Sequence, residues 1–122
     1  MKRLIEVRTY RLMPGTAADF HEAMHQFAVP MIRSAGMDVV AYGRSDHEEE
    51  TYFLIRAYEN REALEDEQAV FYRSIEWKEG PRPALVERIV TYLNTLLWAS
   101  PEAIESLRIE NLTPWAPAPL PP

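Results

Sequence analysis

An α+β fold, with one four-stranded antiparallel sheet and its main helices on a single face, is predicted, and three observations predict it. The 122-residue chain carries four runs rich in alternating, β-branched and aromatic residues. Two stretches between them show apolar residues at three- and four-residue steps, the spacing of a helix stripe. Their order is strand, helix, strand, strand, helix, strand, which is the ferredoxin-like βαββαβ pattern. Residues 1–99 are assigned to this domain and residues 100–122 to a C-terminal short helix and proline-rich tail.

The first strand lies within Ile5 to Gly15 and ends at Pro14-Gly15, because proline cannot donate to a ladder and glycine accepts turn geometry. Thr16 stands at an N-cap position, with Asp19 placed for the positive end of the helix dipole. The helix runs to about Ala35, with an apolar stripe of Phe20, Met24, Phe27, Ala28, Met31 and Ala35. Pro30 should kink or split it, and Gly36 is placed to end it in the left-handed conformation. Met37 to Arg44 and Thr51 to Glu59 read as a hairpin across an acidic turn. Asn60 caps a second helix, whose buried residues are expected to be Ala63, Leu64, Val70 and Phe71. A short turn holding Trp77 follows from Ser74, and another near ALVER leads into the fourth strand, Ile89 to Trp98. Ser100-Pro101 opens a last helix to about Glu110. Beyond Thr113 the chain is proline-rich, and extended polyproline-like structure is expected there.

Composition excludes several classes. The net charge of −6, with no basic cluster, argues against nucleic acid and anionic membrane as partners. The absence of cysteine removes disulfides, thiolate metal sites and cysteine nucleophiles. No apolar run is long enough to span a bilayer, and the amino-terminal residues do not form a signal peptide, so a cytoplasmic protein is expected.

Alternation along the strands sorts side chains into two sets. Ile5, Val7, Val39, Ala41, Phe53, Ile55 and Ile89 are expected under the helices. Glu6, Arg8, Tyr10, Tyr42, Leu54, Arg56, Tyr58, Val90, Tyr92 and Asn94 are expected on the other face. That second face is too apolar to remain wet, so a second copy of the chain is expected to cover it. Glu6, Arg8, Arg56, Tyr58 and Tyr92 are accordingly assigned to a homodimer interface, with Glu6 and an arginine as a buried ion pair.

The segment EVRTYRLMPG, Pro30 with Gly36, the strand YFLIRAY and the segment FYRSIEW together resemble the NIPSNAP family, over about Leu4 to Trp98. The resemblance implies a dimeric α/β barrel with ferredoxin-like protomers. It supplies no catalytic residue set. Elsewhere in that superfamily the same fold serves cofactor-free monooxygenases, haem enzymes, isomerases and decarboxylases, which is analogy at the level of fold.

Two function classes follow. The first is a small-molecule-binding protein, with cofactor-independent oxygenase or isomerase chemistry. Its pocket would lie between sheet and first helix, lined by Tyr10, His21 and Tyr42, with Tyr72 and Trp77 at the mouth. His21 is the best general acid/base candidate, because its pKa falls in the useful range. Arg8 or Arg56 would anchor an anionic or carbonyl group while a tyrosine donates to the developing oxyanion. The alternative is a non-catalytic interaction module acting through the dimer surface and the tail, where Pro114 and Pro117 frame a Pro-x-x-Pro motif. His21-Glu22-Ala23-Met24-His25 matches the short zinc-protease pattern. Its helical wheel, however, opens the site to water, so no metal is expected; no cofactor is expected either, and haem is disfavoured.

Overall fold

The computed structural model describes residues 1–112; the proline-rich tail expected from Thr113 onward lies outside them. Four strands, β1 (Arg3–Leu12), β2 (Asp38–Arg44), β3 (Thr51–Tyr58) and β4 (Ile89–Ala99), form one antiparallel sheet in the order β2-β3-β1-β4. β1 sits between β3 and β4, with Glu6 opposite both Arg56 and Leu96, and Tyr10 opposite both Tyr52 and Tyr92. This is the ferredoxin-like arrangement that the order of elements predicts.

Between β1 and β2 the chain forms α1 (Ala17–Ala23), a π-helical turn (Met24–Ala28) and α2 (Val29–Ser34). Thr16 is the N-cap residue, but its hydroxyl donates to the Met13 carbonyl at 2.6 Å instead of capping. The helix N-terminus is served from a distance. The Glu50 carboxylate, in the β2–β3 turn, accepts from the backbone N–H of Gly15 and, at 3.2 Å, of Ala17. Gly36 ends the segment at φ +88, as its position predicts.

The π-helical turn corrects the expected stripe. The Val29 N–H bonds back to the Met24 carbonyl, five residues away, immediately before Pro30, which has no N–H to give. One extra residue per turn rotates everything downstream by about 100°. Phe20, Met24 and Ala28 stay buried, but the buried set then continues through Val29 and Ile32 rather than Met31 and Ala35, and Phe27 is 60% exposed.

A second correction concerns β2. Val39 pairs with Arg56 and Ala41 with Ile55, so Val40 is the extra residue of a β-bulge. Val39 therefore packs on one side of the sheet while Val40 and Ala41 both pack on the other.

The third correction reaches furthest. The helices α1, α2, α3 (Arg61–Arg73), α4 (Ile75–Glu79) and α5 (Arg82–Val86) cover the Glu6, Tyr10, Leu54 and Tyr58 face of the sheet, not the Ile5 and Val7 face. Glu6, Arg56 and Tyr58 are buried inside the single chain, at 1%, 0% and 1% exposure. The dimer-interface role expected for Glu6, Arg56 and Tyr58 is thereby overturned; Arg8 and Tyr92, expected beside them, lie on the same helix-covered face, with Tyr92 still 55% exposed. The physical reason is that α3 brings polar partners of its own. The Gln68 amide donates to Glu6 at 2.9 Å and to the Tyr58 hydroxyl at 3.0 Å, so the charged pair is satisfied within one protomer. In α3, Phe71 is buried while Val70 is 74% exposed, against the expectation for Val70.

The aliphatic face packs on α6 (Pro101–Glu110), which Ser100 caps by accepting from the Ala103 N–H at 3.1 Å. Ile104 of α6 joins Ile5, Val40, Ala41, Ile55 and Ala57 in a second core. Arg108 fixes the helix there with hydrogen bonds to both Asp38 oxygens, at 2.9 and 3.1 Å, and Arg3 adds a third at 2.9 Å. α6 packs chiefly on β2, at the far edge from β4. Leu93 and Leu97 of β4, on this same face, remain 72% and 41% exposed. Among the described residues no helix is long and apolar enough to cross a membrane.

Candidate functional site

A cavity of about 710 Å³ lies between the helices and the β1–β4 half of the sheet. β1 contributes Arg8 and Tyr10, α1 Phe20, the π-helical turn Met24 and Ala28, and α2 Ile32. Gln68, Tyr72 and Trp77 come from α3 and α4, Leu85 and Val86 from α5, and Val90 and Tyr92 from β4. The widened turn matters to this wall, because it brings Ile32 round to the side of Met24 and Ala28. Most of the lining is aliphatic or aromatic with a few polar groups, the usual make-up of a small-molecule pocket.

The polar groups form one chain of contacts. Arg56 donates to the Glu6 carboxylate from Nε at 3.0 Å and from Nη2 at 2.6 Å. Its Nη1 donates to the Tyr72 hydroxyl at 2.9 Å. Arg8 donates to the same hydroxyl at 3.2 Å, to Asn94 Oδ1 at 2.8 Å, and at 3.5 Å to the second Glu6 oxygen. The Arg8 guanidinium also lies 4.9 Å from the centroid of the Tyr92 ring, a cation–π contact. Burial works against the Arg8 charge, but Tyr72 and Tyr10 beside it hold its pKa above the ordinary value. Burial, with Tyr72 next to it, pushes the Tyr10 phenol up to about 12, so Tyr10 stays protonated. Phe71, Tyr72 and Trp77 pack as an aromatic cluster, with Trp77 centroids 5.3 Å from both partners, and close one end.

Of the residues expected at a ligand site, Tyr10, Tyr72 and Trp77 line this cavity. His21 and Tyr42 do not; they lie over the β2–β3 half of the sheet. His21 is 2% exposed, with Nδ1 2.6 Å from the Tyr52 hydroxyl. Burial, then His25, then Arg44 lower its pKa to about 4, so the ring is neutral near pH 7. His25 stacks on His21 at 5.5 Å and places Nδ1 2.5 Å from the Tyr42 hydroxyl. Among the described residues no group of three or more His, Asp or Glu could hold a metal ion. Arg8 and Tyr92, assigned by sequence to an interface, line the cavity instead. Gln68 was not anticipated. The available signal was the four-residue step Leu64, Gln68, Tyr72, which places all three on one helix face.

The sequence profile of the NIPSNAP family matches residues 5–100. An uncharacterised NIPSNAP-like domain protein from Burkholderia xenovorans is similar in structure, with a TM-score of 0.74 at 21% identity, covering 81% of this chain and 86% of that one. A NIPSNAP family protein of unknown function from Agrobacterium tumefaciens gives a TM-score of 0.74 at 19% identity, covering 81% of this chain and 92% of that one. A candidate antibiotic biosynthesis monooxygenase from Caulobacter crescentus gives 0.59 at 19% identity, covering 80% and 90%. At these identities the likeness is one of fold. No curated protein matches the chain.

Proposed function

The chain belongs to the NIPSNAP family, and from that premise we propose that it is a small-molecule-binding protein whose ligand occupies the cavity between sheet and helices. The single observation that carries this reading is the cavity itself, about 710 Å³ of largely apolar wall on which Arg8, Gln68 and Tyr72 converge. A volume of that order suits a metabolite of ordinary size. Cofactor-independent oxygenation or isomerisation is the reaction class to test first. A candidate monooxygenase shares the fold, and an arginine beside a tyrosine hydroxyl suits an enolate oxygen. Tyr10, Tyr72 and Trp77 are the proposed ligand contacts, joined by Arg8 and Tyr92.

The test is native mass spectrometry on protein purified without denaturation, run beside Ala28→Phe, which fills the cavity. A stoichiometric small-molecule adduct on the parent chain and none on the variant is expected. A parent chain that carries no adduct, and gains none from a metabolite extract, would sink the reading.

A second copy of this chain is the proposed partner. The observation favouring it is β4, an edge strand of 11 residues with neither charge nor proline. Natural edges are usually protected by such residues. An interaction role through this surface is the alternative function, compatible with an occupied cavity.

A further inference from the structure

The charges around the cavity do not balance. One carboxylate, Glu6, faces two guanidiniums, and Arg56 takes both of its strong contacts with it, at 2.6 and 3.0 Å. Arg8 meets Glu6 only at 3.5 Å. Its remaining partners, Asn94 and the phenols Tyr10, Tyr72 and Tyr92, carry no charge. The Arg8 side chain is 12% exposed. Among the described residues the charged groups lining the cavity are Arg8 and Arg82, both cations. A largely buried cation left in excess is costly unless an anion completes it.

Tyr72 points to the same place. A phenol oxygen has two acceptor lone pairs and one proton. Both acceptor positions of Tyr72 are taken by guanidinium N–H groups, from Arg56 at 2.9 Å and Arg8 at 3.2 Å. Its own proton is therefore left for a third partner, and Tyr72 lines the cavity. An N–H fork and an O–H donor thus meet on one wall. The surfaces around them are flat rings: Tyr10, Trp77 and Tyr92.

We propose that the Arg8–Tyr72 wall is an oxyanion seat, and that the ligand is a flat, largely apolar molecule presenting one carboxylate or enolate oxygen to it. This rests on the reading of the cavity as a ligand site and names its substrate class. Arg56 and Gln68 are positioning residues: Arg56 neutralises Glu6 and Gln68 holds its second oxygen, so that the Arg8 charge is left for the ligand.

The experiment is isothermal titration of the full chain with two matched probes, 2-naphthoate and the isosteric neutral 2-naphthamide, repeated on Arg8→Met, Tyr72→Phe and Arg82→Gln. Thermal melts first establish that each variant is folded. The expected result is naphthoate binding about tenfold or more tighter than the amide, the scale of one charge-assisted contact. Arg8→Met should abolish that preference, Tyr72→Phe should shrink it, and Arg82→Gln should keep it. Equal affinity of the two probes for the parent chain would overturn the oxyanion seat and leave the cavity reading standing. A preference that survives Arg8→Met would overturn it as well, because the anion would then sit elsewhere. Failure of both probes to bind at millimolar concentration would overturn the cavity reading itself and the seat with it.

Discussion

Arg56 shows most plainly what one residue does here. It is fully buried, and the Glu6 carboxylate, the Tyr72 hydroxyl and the Tyr72 ring surround it. A buried ion pair need not stabilise a fold, but removing one member strands the other charge. Arg56→Ala should therefore cost about 3–5 kcal/mol in urea unfolding, and Arg56→Met combined with Glu6→Leu should recover most of that loss. A double variant no more stable than Arg56→Ala would show that shape, not charge, decides the site. His21 gives a second prediction at this scale. Its folded pKa, about 4, lies below the ordinary 6.5. The unfolded chain thus binds the proton more readily, so the stabilisation is complete above pH 6.5 and is lost as pH falls towards 4. The urea midpoint should drop between pH 7 and pH 5, and His21→Gln should show a smaller drop. Equal drops in both would assign the effect to another group. That Glu6 and Arg56 pair was legible from their opposite charges on one face of the sheet. That they pair within one chain was not, because the third partner, Gln68, is contributed by a helix 62 residues away from Glu6 in sequence.

At the scale of elements, the clearest signals were the caps. Asn60 accepts from the Ala63 N–H at 2.8 Å, Ser100 caps α6, and Gly36 takes the left-handed conformation, each from a local rule that needs no knowledge of the rest. The π-helical turn and the β2 bulge were illegible for the opposite reason. Each inserts one residue into a regular period, and only packing against the sheet says where. Ile32 reaches the cavity beside Met24 and Ala28 because the turn is wide, whereas a regular helix would have offered Met31. α6 supplies this scale's prediction. Burial raises the Asp38 pKa, but hydrogen bonds from Arg108 and Arg3 outweigh it and bring the group below its ordinary 3.8. A depressed carboxylate stabilises above its unfolded pKa and loses that contribution as pH falls below it. Hydrogen exchange of α6 amides should therefore accelerate below about pH 4 relative to the β1–β3 core. Asp38→Asn should produce the same loosening at pH 7. Slow α6 exchange in that variant would mean that Ile104 and Leu107 alone hold the helix.

For the whole molecule, the order of elements determined the sheet, and alternation determined the side-chain sets of β1 and β3, but not which set the helices cover; Val39 and Ile89 lie opposite the set in which alternation places them. A right-handed crossover decides the side of the sheet on which a connection runs; it says nothing of which pleat phase the first strand presents there. Hydrophobicity then misled, because Ile5, Val7 and Ile55 look more like core than Glu6, Arg8 and Arg56 do. The outcome follows from volume and satisfaction together. The ringed, charged face needs the polar side chains of α3 and leaves room for a cavity, while the aliphatic face needs only one short helix. α6 covers that face over β2 and stops short of β4. Val7, Leu93, Thr95 and Leu97 form an uncharged stretch on the uncovered half, with Arg11, paired to Glu49, at its end. An uncharged apolar stretch can meet a copy of itself across a two-fold axis without like-charge repulsion. Light scattering at micromolar concentration should give twice the 14.1 kDa chain mass. Leu93→Asp with Leu97→Asp should give the single-chain mass with an unchanged circular dichroism spectrum, since both side chains are already exposed and contribute little within the protomer. Because the cavity opens on the opposite side of the sheet, the same variant should bind the naphthoate probe as the parent chain does. A parent chain found monomeric would remove the second copy as partner and leave the uncovered half of β4 to the interaction role.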